Sequence, residues 1–348
     1  MILPIKWEDS MRYKFALAFA AALAAIDGAS PANAQTEPVQ IKFAIPTPPQ
    51  SSVSRGLQPW AEEMAKVTDG QVQVQLFLGP TVATIFNAYD RVINGVVDVA
   101  FGNFGPLASQ FPKTAVVTLP FESRTGMEST LAFWRLYENG TIADEYTKVK
   151  PIALLTFPGV YLHGKKPIRN MDDIKGLKIA AQGKVISRAL EKLGATPVAT
   201  AVAEFYPALQ RGTIDYAANA WSALPSFKLD EVTSYHLEVP LGADDVYVVM
   251  NKDFYAKLPA KAKAAVDKTT GEVMVRRMIG IIDGANAGAR GMVAGKPDHT
   301  IAQLAPDEEA RWAARVAPVI DEWAAETPDG KRVLEAFRAE VKKIRAGM

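Results

Sequence analysis

KGLKIAAQGKVISRALEKLGATPVATAVAEFYPALQRGTIDYAANAW, residues 175–221, alternates strand and helix signals. Leu177–Ala181 reads as a short apolar strand running into a turn at Gln182-Gly183. A helix follows, then a strand begun by Gly194-Ala195-Thr196-Pro197-Val198. A second helix stops at Arg211-Gly212, and a third strand carries Asp215. Such alternation predicts an α/β lobe with a largely parallel sheet. Ligands of these lobes lie beyond the carboxyl ends of the strands. The candidate positions are therefore Ala180 to Lys184, Val202 to Tyr206 and Tyr216 to Trp221.

The chain before this stretch predicts a second lobe of similar build. Val39–Thr47 reads as a strand, and Leu57, Trp60, Met64 and Val67 repeat at helical spacing. Gln71–Leu78 alternates as a half-buried strand. A helix is expected with Val82, Ile85, Phe86, Tyr89 and Ile93 on one face, then an apolar strand over Val96–Ala100. YDRVINGVVDVAFGN (89–103) and YPALQRGTIDYAANA (206–220) echo one another. Each has a helix end, a Gly, an apolar pair, an Asp, and a strand that closes on small residues and an Asn. Asp98 matches Asp215, Gly95 matches Gly212, and Asn103 lies near the place of Asn219. Two lobes facing across a cleft are the implied arrangement, joined twice, near 120–160 and 240–252. Lys261–Met292 reads as one long helix whose Gly280, Gly284, Gly288 and Gly291 predict a bend or close packing. Helices beginning at Pro306 and Asp329 complete the chain.

Length and composition agree with two domains: 348 residues, 49% apolar and 22% charged. A net charge of +1 gives no global field for nucleic acid or an anionic membrane. Without cysteine the chain has no disulfide, thiolate nucleophile or Cys-ligated metal. Met11-Arg12-Tyr13-Lys14 is a basic start, followed by an apolar run of about 12 residues, too short to span a bilayer. Ala32-Asn33-Ala34 supplies a small-x-small cleavage site, so residues 1–34 read as a signal peptide of an exported protein. Met1 and Met11 are both possible starts.

No catalytic or metal-ligating constellation stands out, and no cofactor is expected. His163, His236 and His299 are far apart in sequence, without the spacing of a zinc site. Asp244, Asp245 and His163 are the cleft groups from which an exported enzyme would have to draw an acid/base pair. A hinged, exported, two-lobe chain without catalytic motifs is best suited to closing on a ligand.

Val67-Thr68-Asp69-Gly70, Asn94-Gly95-Val96-Val97-Asp98, Leu119-Pro120-Phe121 and Asp172 through Ile179 carry a resemblance, continued by Leu193–Val198, Ala208–Gly212 and Val248–Lys252. In that order they resemble the substrate-binding proteins of tripartite ATP-independent periplasmic (TRAP) transporters, the DctP-like family. The resemblance implies an α/β, two-lobe periplasmic-binding-protein-like fold with hinge strands and a long hinge-spanning helix. Residues 35–155 with 248–295 would form lobe I, 156–247 lobe II, and 296–348 a helical segment packing on both. It also implies a soluble periplasmic receptor, not an enzyme, that hands a small-molecule solute to membrane permease subunits and has no nucleic-acid partner. A sensor subunit or an exported enzyme using the same cleft is the alternative.

Most members clamp a carboxylate with an Arg directly after the Gly-Leu-Lys-Ile strand. Here Ala180 occupies that place, and Val160 stands near a second expected Arg. Either Lys184 or Arg188 replaces the missing charge, or aromatics and amides hold the solute. The candidate ligand-binding residues are Thr47, Asn103, Phe104, Tyr161, Ala180, Gln182, Lys184, Arg188, Tyr216, Asn219, Trp221 and Tyr247. The expected solute is a bulky or aromatic organic acid rather than a C4-dicarboxylate.

Overall fold

A computed structural model describes residues 37–348; the expected signal peptide lies outside them. In chain order the first elements are β1 (Val39–Ile45), α1 (Ser52–Leu57), α2 (Pro59–Val67), β2 (Val72–Leu78), α3 (Ala88–Ile93), β3 (Val99–Asn103), α4 (Gly126–Glu138) and β4 (Val149–Pro158). Then come β5 (Tyr161–Gly164), β6 (Lys178–Ala181), α5 (Lys184–Leu193), β7 (Thr196–Ala199), α6 (Phe205–Arg211), β8 (Tyr216–Asn219), α7 (Ala223–Ser226) and β9 (Tyr235–Glu238). The last are β10 (Ala243–Asn251), α8 (Lys252–Lys257), α9 (Ala260–Thr269), α10 (Glu272–Ala294), β11 (Thr300–Gln303), α11 (Pro306–Glu326) and α12 (Gly330–Arg345).

Two sheets result. Lobe I has the order β2-β1-β3-β10-β4, and lobe II the order β11-β9-β5-β8-β6-β7. In lobe I, β1 runs parallel to β2 and β3, while β10 is antiparallel to both β3 and β4. Strands β6, β7 and β8 form the parallel core of lobe II. Both faces of each central strand are covered, which is why β3 and β8 are buried throughout.

The echo between the two halves is structural. Asp98 accepts from the Lys42 backbone N–H at 2.7 Å, and Asp215 accepts from the Lys178 N–H at 2.8 Å. In return the Asp98 N–H donates to the Lys42 carbonyl and the Asp215 N–H to the Lys178 carbonyl. The same clasp thus aligns β1 with β3 in lobe I and β6 with β8 in lobe II. It delivers Asn103 and Asn219 to equivalent strand ends.

Strands β4 and β10 belong wholly to the lobe I sheet, so the lobes exchange chain at Gly159-Val160 and Val239–Gly242, later and earlier than the residue boundaries expected from sequence. The two crossings are tied together: the Val160 N–H donates to the Gly242 carbonyl at 3.1 Å. Three further expectations are corrected. The expected 82–93 helix contracts to α3, because residues 79–87 turn and leave Phe86 50% exposed. The single long helix is two, α9 and α10, broken at Thr270-Gly271, where Gly271 takes φ +68°. Its glycines do not mediate close packing: a Cβ on Gly280, Gly284, Gly288 or Gly291 meets nothing within 4 Å.

Helix α10 packs on α4, α1 and β4 of lobe I and also touches β11 of lobe II. Helix α11 packs on α5 of lobe II, and α12 on α4 of lobe I. The C-terminal pair thus straps the lobes together. Its α11 end is held by Lys184 and Arg188 to Glu326 and Lys192 to Glu322. Its α12 end is held by Arg338 to Glu122 and Arg345 to Glu128.

Candidate functional site

Between the lobes lies a cavity of about 70 Å³. That is room for roughly five waters, at the 10–15 Å³ one water needs. Lobe I contributes Thr47, Ser51, Phe101, Asn103, Phe157 and Asp244; lobe II contributes Gln182, Val202, Asn219, Ser222 and Phe227. Asn103, Phe157, Gln182 and Asn219 sit at or just past strand ends, as the α/β arrangement requires, while Ser51, Val202, Ser222 and Phe227 come from turns and short helices. Asn103 closes β3 and Asn219 closes β8.

Each asparagine commits its Oδ1 to local backbone. Asn103 Oδ1 accepts from the Gly105 N–H at 2.6 Å, and Asn219 Oδ1 accepts from the Ala220 N–H at 2.8 Å. The carboxamide NH₂ is the end left for a neighbour. Asn103 uses it across the cleft, donating to Gln182 Oε1 at 3.4 Å. Just beside this contact the backbones approach closely: a Cβ on Gly105 would stand 3.2 Å from the Gly183 nitrogen. The lobes are therefore closed on one another here. Thr47 is buried, its hydroxyl within hydrogen-bond distance of those of Ser51 and Ser54.

The carbonyl of Asn219 is anchored from behind by the three histidines, which the fold gathers into one chain. His163 Nε2 lies 3.1 Å from the Asn219 carbonyl, His163 Nδ1 2.9 Å from His236 Nδ1, and His236 Nε2 2.9 Å from His299 Nδ1. A carbonyl only accepts, so His163 donates from Nε2 and accepts at Nδ1. His236 then donates from Nδ1 and accepts from His299 at Nε2. Both inner rings must be neutral to do this. Burial holds His163 down to about 3 and His236 to about 4, assisted by their neighbouring rings.

Among the cavity-lining residues the ionisable side chain is Asp244; none is Lys, Arg or His. Burial pushes its carboxyl up to about 7, against an opposing hydrogen bond from Asn103. Asp245, one residue on, is pushed up to about 8 by burial and by Asp244. It faces a second cavity, of about 200 Å³, beyond the Asn103–Gln182 contact. That second cavity is lined by Lys184, Arg188, Trp323 and Glu326.

The structure divides the twelve candidates. Thr47, Asn103, Gln182 and Asn219 line the 70 Å³ cavity. Lys184 and Arg188 line the second cavity, ion-paired to Glu326 at 2.8 and 2.9 Å. Tyr161 and Trp221 border an open groove beside α10, where Trp221 Nε1 donates to Glu238 at 3.0 Å. Phe104 borders the second cavity but is almost wholly buried among Phe111, Phe133, Tyr146 and Tyr247. Tyr247 is fully buried in that same cluster and does not reach the cleft. Tyr216 points away from the cavity, its hydroxyl donating to the Lys166 carbonyl. Ala180 is wholly buried in a core shared with Phe205, Ala217 and Trp221. Sequence reasoning missed Phe101, Phe157, Phe227, Ser51 and Ser222. The strand-end rule reaches Phe101 and Phe157, but Phe227 and the serines sit in turns and short helices that carry no such signal.

Two α/β lobes closing on an apolar cavity rimmed by amides and hydroxyls define a solute-binding receptor rather than an enzyme. Residues 43–327 match the bacterial extracellular solute-binding protein family 7, the DctP family, and the chain belongs to it. It is similar to the "Outer membrane transporter protein TsaT" of Comamonas testosteroni, at 31% identity over 77% of this chain and 80% of that one. It is also similar to a TRAP solute-binding protein of Rhodoferax ferrireducens solved with copurified benzoate (TM-score 0.83, 27% identity, 88% of this chain and 98% of that one). A TRAP periplasmic solute-binding protein of Bordetella bronchiseptica, solved with (R)- and (S)-mandelate, matches with TM-score 0.80 and 28% identity over 88% of this chain and all (100%) of that one. The fold is that of the TRAP solute receptors.

Proposed function

We propose that this chain is the periplasmic receptor of a TRAP-type transporter and captures a compact aromatic organic acid between its lobes for delivery to a membrane permease. The observation that carries this reading is the make-up of the cavity. Three rings, Phe101, Phe157 and Phe227, supply an apolar chamber, the carboxamide NH₂ of Asn219 supplies a donor from lobe II, and that of Asn103 supplies one from lobe I once it releases Gln182. A flat apolar body with one polar end fits that division, since its ring replaces water against Phe side chains while its oxygens meet N–H groups. A C4-dicarboxylate fits poorly, having a charge at each end and no basic side chain to meet either. The benzoate and mandelate held by similar receptors support an aromatic acid here too.

Thermal unfolding of the exported chain with benzoate, 3-hydroxybenzoate, mandelate and succinate tests this. A ligand that binds only the folded state at 100-fold its Kd stabilises by about 2.7 kcal/mol. The aromatic acids are expected to raise Tm by several degrees and succinate to leave it unchanged. A larger shift with succinate would overturn the assignment.

A further inference from the structure

We propose that Asp244 does the work of the absent basic side chain, by sharing one proton with the carboxylate of the bound solute, so that this receptor takes up acid and proton together. The proposal rests on the organic-acid reading and says how such an acid is held.

The geometry leaves few alternatives. Asp244 lies on β10, opposite Phe157 of β4, with Phe101 and Asn103 of β3 also lining the cavity it faces. From lobe II the facing groups are Gln182, Asn219 and Ser222, all uncharged. Helix α1 presents serines. The charged groups around Asp244 are Asp245, on the side of the second cavity, and behind it Glu145, which accepts from the Lys113 and Thr114 N–H groups. Both are acids. Lys184 and Arg188 belong to the second cavity, paired to Glu326, and Arg290 is paired to Glu238 in the groove beside α10.

A solute carboxylate entering this cavity therefore meets a carboxyl group. Two ionised carboxylates in a desolvated space repel, and one proton between them converts repulsion into a short charge-assisted hydrogen bond. The balance is simple. Where Asp244 is already protonated, its O–H donates to the solute carboxylate and no proton moves from solvent. Where it is ionised, binding takes one proton from the buffer. Burial has already raised the Asp244 carboxyl to about 7, so the proton is available at ordinary pH and becomes scarce above it.

The experiment is calorimetric titration of the full exported chain with benzoate, in buffers of different protonation enthalpy, from pH 6 to 9.5. Expected is uptake of about one proton near pH 9, with affinity falling about tenfold per pH unit there. Asp244→Asn, which keeps a donor but has no proton to gain, is expected to lose that slope; Asp245→Asn is expected to keep it. Benzoate binding by the native chain without proton uptake overturns the shared proton alone. A slope that survives Asp244→Asn and vanishes in Asp245→Asn overturns it as well. If benzoate, 3-hydroxybenzoate and mandelate all fail at every pH while benzylamine binds, the organic-acid reading falls and the shared proton falls with it.

Discussion

Ala180 shows how a single position can be legible in meaning and misleading in place. By the resemblance, the small residue after the Gly-Leu-Lys-Ile strand stands where an arginine was expected. Its side chain, however, packs at 0% exposure against the core beneath the lobe II sheet. Restoring an arginine there would force a guanidinium into apolar packing without a carboxylate to meet it. Ala180→Arg is expected to destabilise the fold by about 3 kcal/mol or more. Urea unfolding checks it; a variant as stable as the parent, with tighter aromatic-acid binding, would show that the side chain reaches the cleft. Tyr216 and Tyr247 teach the same lesson. Composition marks an aromatic near a strand end, but only the pleat and its neighbours decide which face it takes. Asn103 and Asn219 were readable because each closes a strand within a repeated pattern. Ser51, Ser222 and Phe227 were not, since they come from turns that only tertiary contact brings to the cavity.

At the scale of elements, the alternation in residues 175–221 gave the order of strands and helices in lobe II, because β6, α5, β7, α6 and β8 each carry their own period and stop signal. The histidine chain was invisible for the opposite reason. It links β5, β9 and the loop before β11, whose adjacency is a property of the sheet order. Its neutrality has a measurable sign. Unfolded histidines take up protons below about 6.5, while folded His236 and His163 resist until about 4 and 3. Their contribution to stability is whole above pH 6.5 and lost as pH falls. Asp244 and Asp245 act in the other direction. Folded, they keep protons that the unfolded chain releases above its ordinary value of 3.8, so their contribution is lost as pH rises toward 7 and 8. The two slopes oppose each other between about pH 4 and 6.5. The unliganded chain is expected to show a stability plateau there and to lose stability from pH 6.5 to 8.5. A Tm that climbs steadily through that alkaline range would contradict the assignment.

For the whole molecule, the point of lobe contact is Gly105 against Gly183. A side chain at 105 would crowd Asn103 Oδ1 at 2.8 Å and the Gly183 nitrogen at 3.2 Å. Gly105 does not need positive φ, so a substitution there carries no backbone strain of its own. Gly105→Val is expected to hold the lobes apart, lowering affinity for an aromatic acid by tenfold or more while changing Tm of the unliganded chain by only a few degrees. Small-angle scattering with and without benzoate, beside a binding titration, checks it. Unaltered affinity would mean that closure does not pass through this contact. The two-lobe plan was readable in the sequence echo, and the resemblance implied a C-terminal helical segment packing on both lobes, but which of α11 and α12 meets which lobe was not readable. Those helices look like ordinary surface helices until their opposite partners, α5 and α4, are seen.

The placement of β10 bears on how the chain is made. It lies between β3 and β4 in the lobe I sheet, yet the whole of β5 through β9 separates it from β4 along the chain. Lobe II is likewise unfinished until β11 arrives, after α10. Neither half can complete its sheet until most of the chain is made, because lobe I waits for β10, which ends at Asn251, and lobe II for β11, which ends at Gln303. Such long-range pairing folds slowly. A nascent chain thus keeps both sheets unfinished until well past its midpoint, and an unfinished sheet is the state a polypeptide must keep if it is to cross a membrane before it folds.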